Sequence, residues 1–196
     1  MTLPDPRALR SAFGTFMTGV TVVTSLDGNG NPVGFTANSF SSVSLDPPLL
    51  LVCLAKSSSN YDTLTQAKGF AVNVLSAEQT DVSNTFARPV DDRFASVDWK
   101  TGPFGSPVLN EVSAWFDCSM HSTVEAGDHV ILIGRVYAFD STPAPGLGYV
   151  RGAYVTPSIG EELLASGTDL IVSAIILRDS HVLLVDKSKV SGDGFD

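Results

Sequence analysis

Cysteine is nearly missing from this chain: Cys53 and Cys118 are the only two among 196 residues, and both lie inside apolar, strand-like runs. Two such thiols read as small core residues and supply neither a disulfide framework nor a thiolate metal site, so a reducing cytoplasm is the expected setting. Histidine is as sparse. His121, His129 and His181 stand apart, with no His-Glu-x-x-His or Cys-x-x-Cys spacing, and no metal site is expected. Basic charge is short as well, with 12 Lys and Arg against 21 Asp and Glu for a net charge of −9. That balance excludes a general electrostatic grip on nucleic acid or anionic lipid. Long apolar runs are absent: Pro47 to Ala55 is far below the roughly 20 residues that span a bilayer. The opening "MTLPDPRALR" has no signal-peptide apolar segment. No Gly-x-Ser-x-Gly elbow points to a hydrolase, and no Gly-x-Gly-x-x-Gly follows a strand to open a helix, which argues against a Rossmann domain.

What the chain does contain is 43% hydrophobic residues, enough for one sizeable core with an appendage. Pro6 suits a first helical turn, and Leu9, Phe13 and Phe16 follow on one helical face, expected to be core. "VTVVTSL", "DGNGN" and "PVGFTANSF" read as strand, turn and returning strand. "PPLLLVCLA" reads as a strand apolar on both faces. "SSSNYDTLTQAKG" then predicts a serine-capped helix stopping at Gly69. "FAVNVL" is a further strand, and "SAEQ" has the spacing of a capping box opening a helix that closes before Pro89. Arg88 to Asn110 reads as irregular. "SAWFDCSMHSTV" alternates Ala114, Phe116, Cys118 and Met120 with Trp115, Asp117, Ser119 and His121, and turns through "EAGD" into "HVILIGRVYAF", a long antiparallel hairpin. Strands joined by hairpins and broken by short helices predict a mainly β fold, a closed or nearly closed antiparallel barrel.

Two hydroxyl-rich patches, "TANSFSS" and "AKSSSN", flank the most apolar strand. Either they are turn and capping residues, or their hydroxyls and backbone N–H groups cradle a phosphate, helped by Lys56, Arg88 or Arg93. His129 opens a strand after a turn, where its side chain is either solvated or faces a cleft, and its pKa range suits proton exchange near neutrality.

The segments "RSAFGTFMTGVTVVTS", "GFTANSFSSVSLDPPLLLVCLAKSSSNY", "FAVNVLSAEQTDVSNTFA", "DDRF", "GDHVILIGRV" and "YVRGAY" occur in the order and spacing of the flavin reductase-like family. These short-chain NAD(P)H:flavin oxidoreductases serve two-component monooxygenases, and the resemblance runs over residues 7 to 157. It implies an FMN-binding split β-barrel, Greek-key-like, acting as a homodimer with FMN or FAD near the subunit interface. NADH or NADPH would be the hydride donor and an oxygenase component the recipient of reduced flavin. By position, the resemblance assigns Thr36, Ala37, Asn38 and Ser39 to the flavin ring and ribityl chain, and Ser41 and Ser42 to a turn toward the phosphate. Cys53, Leu54 and Ala55 would back the ring, and Lys56, Ser57, Ser58 and Ser59 would form the phosphate-side loop. Phe86, Ala87, Arg88 and Arg93 would close over the phosphate or dinucleotide tail, His129 would act at the nicotinamide and flavin ring, and Tyr154 is the family's Gly-x-Tyr aromatic. A flavoprotein that keeps its cofactor, or a flavin-binding module without turnover, are the alternatives. Residues 158–196 exceed the family's usual length. Their "DLIVSAIILRDSHVLLVDKS" resembles the opening hairpin of a Nudix-type domain that lacks its glutamate-bearing helix. Either a truncated second domain or, by preference, an extra hairpin covering an edge is expected there.

Overall fold

A computed structural model describes residues 5–90, 92–156, 172–178 and 181–186. The chain forms two compact units, Met1–Thr156 and Pro157–Asp196. In the second, β13 (Val172–Arg178) pairs antiparallel with β14 (His181–Asp186). The sequence "SIGE" at residues 158–161 also has the spacing of a capping box and predicts a helix; it lies outside the described residues.

The first unit is built on a seven-stranded antiparallel sheet. Its members are β2 (Thr21–Leu26), β3 (Pro32–Ala37), β4 (Ser41–Leu45), β5 (Pro48–Ala55), β6 (Gly69–Val74), β9 (Ala114–Ala126) and β10 (His129–Ser141), in the order β3-β2-β6-β9-β10-β5-β4. The Ser39 hydroxyl joins the chain leaving β3 to β5: the Cys53 N–H donates to Ser39 Oγ at 2.9 Å, and Oγ donates to the Cys53 carbonyl at 3.3 Å. A side chain thus takes the place of a ladder partner between the chain leaving β3, at one edge of the sheet, and β5, next to the other edge. A second small sheet joins β1 (Thr18–Gly19), β11 (Gly148–Val150) and β12 (Ala153–Val155).

The core has two parts, and β2 serves both. Val23 packs with Leu50, Val52, Leu54, Phe70, Val72 and Leu132, while its neighbour Val22 faces the other way toward Leu75, Phe86, Leu109 and Leu147. Strand β5 differs from expectation: Leu50, Val52 and Leu54 are buried, but Leu49, Leu51, Cys53 and Ala55 on its other face are only half-buried. At the end of the strand, Cys53 and Ala55 of that second face line a hollow instead of a second core layer.

Further expectations are corrected. Helix α1 (Pro6–Phe13) forms, with its first turn capped by Asp5, but buries no residue; Phe13 is 70% and Phe16 77% exposed. Spacing specifies an apolar stripe and not the surface that covers it. Helix α2 (Tyr61–Gln66) ends before Gly69, which instead opens β6, and Asn60 at its N-cap makes no side-chain cap, its amide donating to the Gly34 carbonyl at 3.0 Å. The segment read as irregular holds a short hairpin, β7 (Trp99–Thr101) with β8 (Pro107–Leu109). Its turn is tied down from outside, by Asp117 Oδ2 accepting the Phe104 N–H at 2.6 Å and the Gly105 N–H at 3.2 Å. Asp117 is fully buried. Helix α3 (Thr80–Ala87) closes before Pro89 as expected, but the box before it is half-formed: Gln79 Oε1 accepts the Ser76 N–H at 3.0 Å and no reciprocal bond is made.

Candidate functional site

Two hollows meet where β3, the loop after β5 and the end of α3 converge. The larger, about 550 Å3, is bordered by Phe35, Thr36, Asn38, Ser57, Ser58, Ser59, Asn60, Ser83, Phe86, Arg88, Arg93, Tyr149 and Tyr154 among others. The smaller, about 310 Å3, is lined by Phe35, Thr36, Ala37, Asn38, Ser39, Cys53, Leu54, Ala55, Ser58 and His129. Phe35, Thr36, Asn38 and Ser58 belong to both, so the two form one continuous depression. Among the described residues, no Asp or Glu lines either hollow.

The walls are held by bonds internal to the protein. Thr36 Oγ1 donates to the Ser83 carbonyl at 2.7 Å, fastening β3 to α3. The Tyr154 hydroxyl donates to Asn84 Oδ1 at 3.1 Å, so its contact with Ser83 Oγ at 2.9 Å is one in which serine donates. Phe86 lies against β3 because residue 34 is glycine; a Cβ there would come within 3.0 Å of the Phe86 ring and 2.9 Å of the Val23 carbonyl. Pro89 forces the preceding residue out of helical geometry, and Arg88 accordingly leaves α3 extended, at φ −108° and ψ 156°. Its carbonyl accepts both Nε and Nη2 of Arg93, at 3.1 and 2.8 Å, and the Gly34 carbonyl accepts Nη1 at 3.5 Å, which fixes the Arg93 guanidinium between α3 and β3.

The structure gathers most of the residues singled out in the sequence around this depression and leaves three outside it. Ser41 and Ser42 are exposed on β4, in register with Leu51 and Leu50. Lys56 is drawn away by an ion pair with Glu125, whose hydrogen bond raises the lysine pKa and lowers that of the carboxylate. Positive charge at the larger hollow therefore comes from Arg88 and Arg93. Ser39 lines the smaller hollow while its hydroxyl is engaged with Cys53. Sequence reasoning missed Phe35, Asn60, Ser83 and Tyr149. Ser83 carried a legible signal, since it precedes Phe86 by one helical turn; Asn60 and Tyr149 carried none without the fold.

At the far end, His129 Nδ1 is 2.7 Å from Asp128 Oδ1, and this bond holds the Asp128 carboxyl below its usual range. With a carboxylate acceptor there, Nδ1 carries the proton and Nε2 is left for another partner. The His129 side chain is 43% exposed. Among the described residues, no group of three or more His, Cys, Asp or Glu is placed to hold a metal ion.

Residues 13–158 match the family model described as the flavin reductase like domain. The chain belongs to the flavin reductase-like family. The chain is 56% identical over 180 residues to the stachydrine N-demethylase reductase subunit of Rhizobium meliloti, covering 92% of this chain and 78% of that protein. It is 54% identical over 178 residues to the reductase component of the flavin-dependent trigonelline monooxygenase of Acinetobacter baylyi, covering 91% and 57%. Among solved structures, the NADH:FAD oxidoreductase of Streptomyces globisporus, in complex with NAD and FAD fragments, superposes with a TM-score of 0.73 at 40% identity, over 79% of this chain and 96% of that one. The chain spans 57% and 61% of the length of two of the curated relatives it matches.

The two thiols separate by environment. Burial, and secondarily the neighbouring Asp117, pushes the Cys118 pKa up to about 12, whereas Cys53 is half-buried at the smaller hollow. A disulfide reagent added to the folded protein is expected to titrate one thiol, Cys53, and both after unfolding. Because the folded pKa of Cys118 is raised above the unfolded value of about 8.5, its contribution to stability is intact below that pH. It is lost as pH climbs toward 12, at up to about 1.4 kcal/mol per pH unit. Denaturant midpoints measured between pH 8 and 11 for wild type and Cys118→Ala check this: the variant should lack that part of the alkaline decline.

Proposed function

We propose that this chain is an NAD(P)H-dependent flavin reductase that delivers reduced flavin to a separate oxygenase component. The observation that carries the proposal is the continuous depression itself, walled by hydroxyls and aromatic rings, lined by no carboxylate among the described residues, with two arginines toward one end and His129 at the other. Its volume lies within the roughly 300–1,000 Å3 of cofactor sites. The donor set suits a flavin: Ser57, Ser58, Ser59, Arg88 and Arg93 for the phosphate, Thr36 and Asn38 for the ribityl chain, and the half-buried face of β5 behind the ring. FMN and FAD both meet this description. A bound flavin supplies the redox chemistry by accepting hydride from the nicotinamide.

What remains for the protein is to bind, orient and shield the two reactants, and no nucleophile is required. His129 is assigned to the nicotinamide end, with Asp128 fixing its tautomer and Nε2 available to exchange a proton with the bound pair. For His129→Ala, kcat/KM for NADH at saturating flavin is expected to fall by at least about tenfold. An unchanged value removes His129 from the mechanism.

The relatives named reductase subunits and components support the oxygenase-serving role, and the NADH:FAD oxidoreductase supports NADH as donor. A homodimer is part of the same reading. It is supported by Phe40, Phe116 and Phe139, stacked at centroid distances of 5.7 and 6.2 Å, with Phe139 and Tyr137 largely exposed. No described helix is long and apolar enough to cross a membrane, and a cytoplasmic setting is proposed on the thiol content. The deciding experiment is steady-state oxidation of NADH and NADPH with FMN, FAD and riboflavin titrated separately. Turnover that rises with added free flavin is expected. Tight FMN binding without NAD(P)H oxidation would instead indicate a binding module, and turnover indifferent to added flavin an enzyme that keeps its cofactor.

A further inference from the structure

Lys56 is the cation that the depression leaves out, and the way it is held back is specific. It lies between Ala55, which lines the smaller hollow, and Ser57, which lines the larger. Its backbone is fixed. The Lys56 N–H donates to the Asp128 carbonyl at 3.0 Å, and the Ser58 N–H donates to the Ala55 carbonyl at 3.0 Å, closing a turn with Lys56 and Ser57 at its corner. What remains free to choose a partner is the side chain, a point charge on a flexible four-carbon stem. Its alternatives are the Glu125 carboxylate and an anion held by the serines that follow it in the chain.

Glu125 is placed to win that competition. It stands near the end of β9, in register with Val130 of β10. One carboxylate oxygen, Oε2, accepts Lys56 Nζ, and the other, Oε1, accepts the Tyr61 hydroxyl at 3.3 Å. The neighbouring Asp128 carboxylate is engaged elsewhere, with His129 Nδ1. The turn after β5, helix α2 and strand β9 thus meet in one polar contact through Lys56, Tyr61 and Glu125. Yet this contact does little for the fold: the lysine and glutamate side chains are 40% and 66% exposed, and an ion pair so open to water adds little stability. Its effect on the adjoining site is larger. Arg88 and Arg93 already present two guanidinium groups to the larger hollow. A third cation on the phosphate would tighten oxidised and reduced flavin alike, because the phosphate takes no part in the redox change. Uniform tightening of that kind lowers KM without speeding the chemical step, and it slows release.

We propose that Glu125 limits the affinity for FMN by holding Lys56 off the phosphate, so that reduced flavin is released to the oxygenase component. The inference rests on the flavin reading of the cleft. It makes Glu125 an affinity-setting residue that touches neither flavin nor nicotinamide and acts through Lys56.

The test is a fluorescence titration of the purified full chain with FMN and with riboflavin, for wild type, E125Q, K56Q and E125Q/K56Q. Glutamine at position 125 keeps the size of the side chain and an acceptor for the Tyr61 hydroxyl while freeing the lysine. E125Q is expected to bind FMN at least about fivefold more tightly than wild type, with riboflavin affinity within about twofold. In the K56Q background the same change should move FMN affinity by less than about twofold, which separates a freed lysine from the mere loss of a negative charge. The gain should lie in slower FMN dissociation, followed by stopped flow, because a charge at the rim acts on association and a held phosphate acts on release. FMN affinity unchanged or weakened in E125Q, equal tightening in the K56Q background, or equal tightening of riboflavin overturns the proposal. The expected response in a protein that oxidises neither NADH nor NADPH would uphold it while rejecting the reductase reading. Wild type that binds no FMN rejects both.

Discussion

Gly69→Ala is expected to unfold much of the first unit's stability margin with a single methyl group. Gly69 pairs with Ser119 across β6 and β9, and a Cβ there would sit 2.3 Å from the Cys118 carbonyl oxygen and 2.7 Å from the Phe104 ring. The ring can swing aside; the carbonyl belongs to the backbone of β9 and cannot move without dragging the ladder and Asp117 beside it. Asp117 in turn holds the β7–β8 turn through two N–H bonds. Overpacking of this kind costs about 3 kcal/mol or more where the neighbour is backbone. For a unit of this size that lowers Tm by roughly 10 °C. Thermal melts followed by circular dichroism check it, with Gly28→Ala as control, because a Cβ at Gly28 meets nothing within 4 Å. A melt for Gly69→Ala that coincides with wild type would show that β6 and β9 separate more easily than their register implies.

The second large effect concerns the phosphate. Arg88 and Arg93 are the cations lining the larger hollow, since Lys56 is paired with Glu125 outside it. Removing both as Arg88→Ala/Arg93→Ala is expected to weaken FMN binding by about 100-fold, or about 2.7 kcal/mol. Riboflavin, which has the ring and ribityl chain but no phosphate, should bind both proteins alike. Arg93 also bridges to the Arg88 carbonyl, so loss of that brace alone would weaken FMN and riboflavin together. Fluorescence titration of the two flavins separates these outcomes. Arg93→Lys should recover only part of the FMN affinity, because an ammonium supplies charge without the planar fork.

Much of the architecture was legible in the residues. The hairpins β2–β3 and β9–β10 follow from runs of β-branched residues broken by Gly- and Asp-containing turns, which are local preferences and survive burial unchanged. Helix α3 stops where Pro89 requires it. The β7–β8 hairpin was not legible, because its turn is held by Asp117, which arrives twelve and thirteen residues later. The fate of α1 was not legible either: periodicity identified its apolar stripe, and nothing local told that Phe13 and Phe16 would stay exposed.

The same division holds at the site. From the sequence alone came the segments that matter, the two hydroxyl-rich patches around β5, the Arg88–Arg93 stretch, the Gly-Asp-His turn and the final tyrosine, because each is a short run of distinctive residue types. Only the tertiary structure decided which members of those runs face a common space. It turned Lys56 outward to Glu125, placed Ser41 and Ser42 on an exposed strand, spent the Ser39 hydroxyl on Cys53, and brought Asn60, Ser83 and Tyr149 into the wall. The physical reason is that a side chain's type is set by its codon, whereas its partner is set by competition among groups that only folding brings within hydrogen-bonding distance.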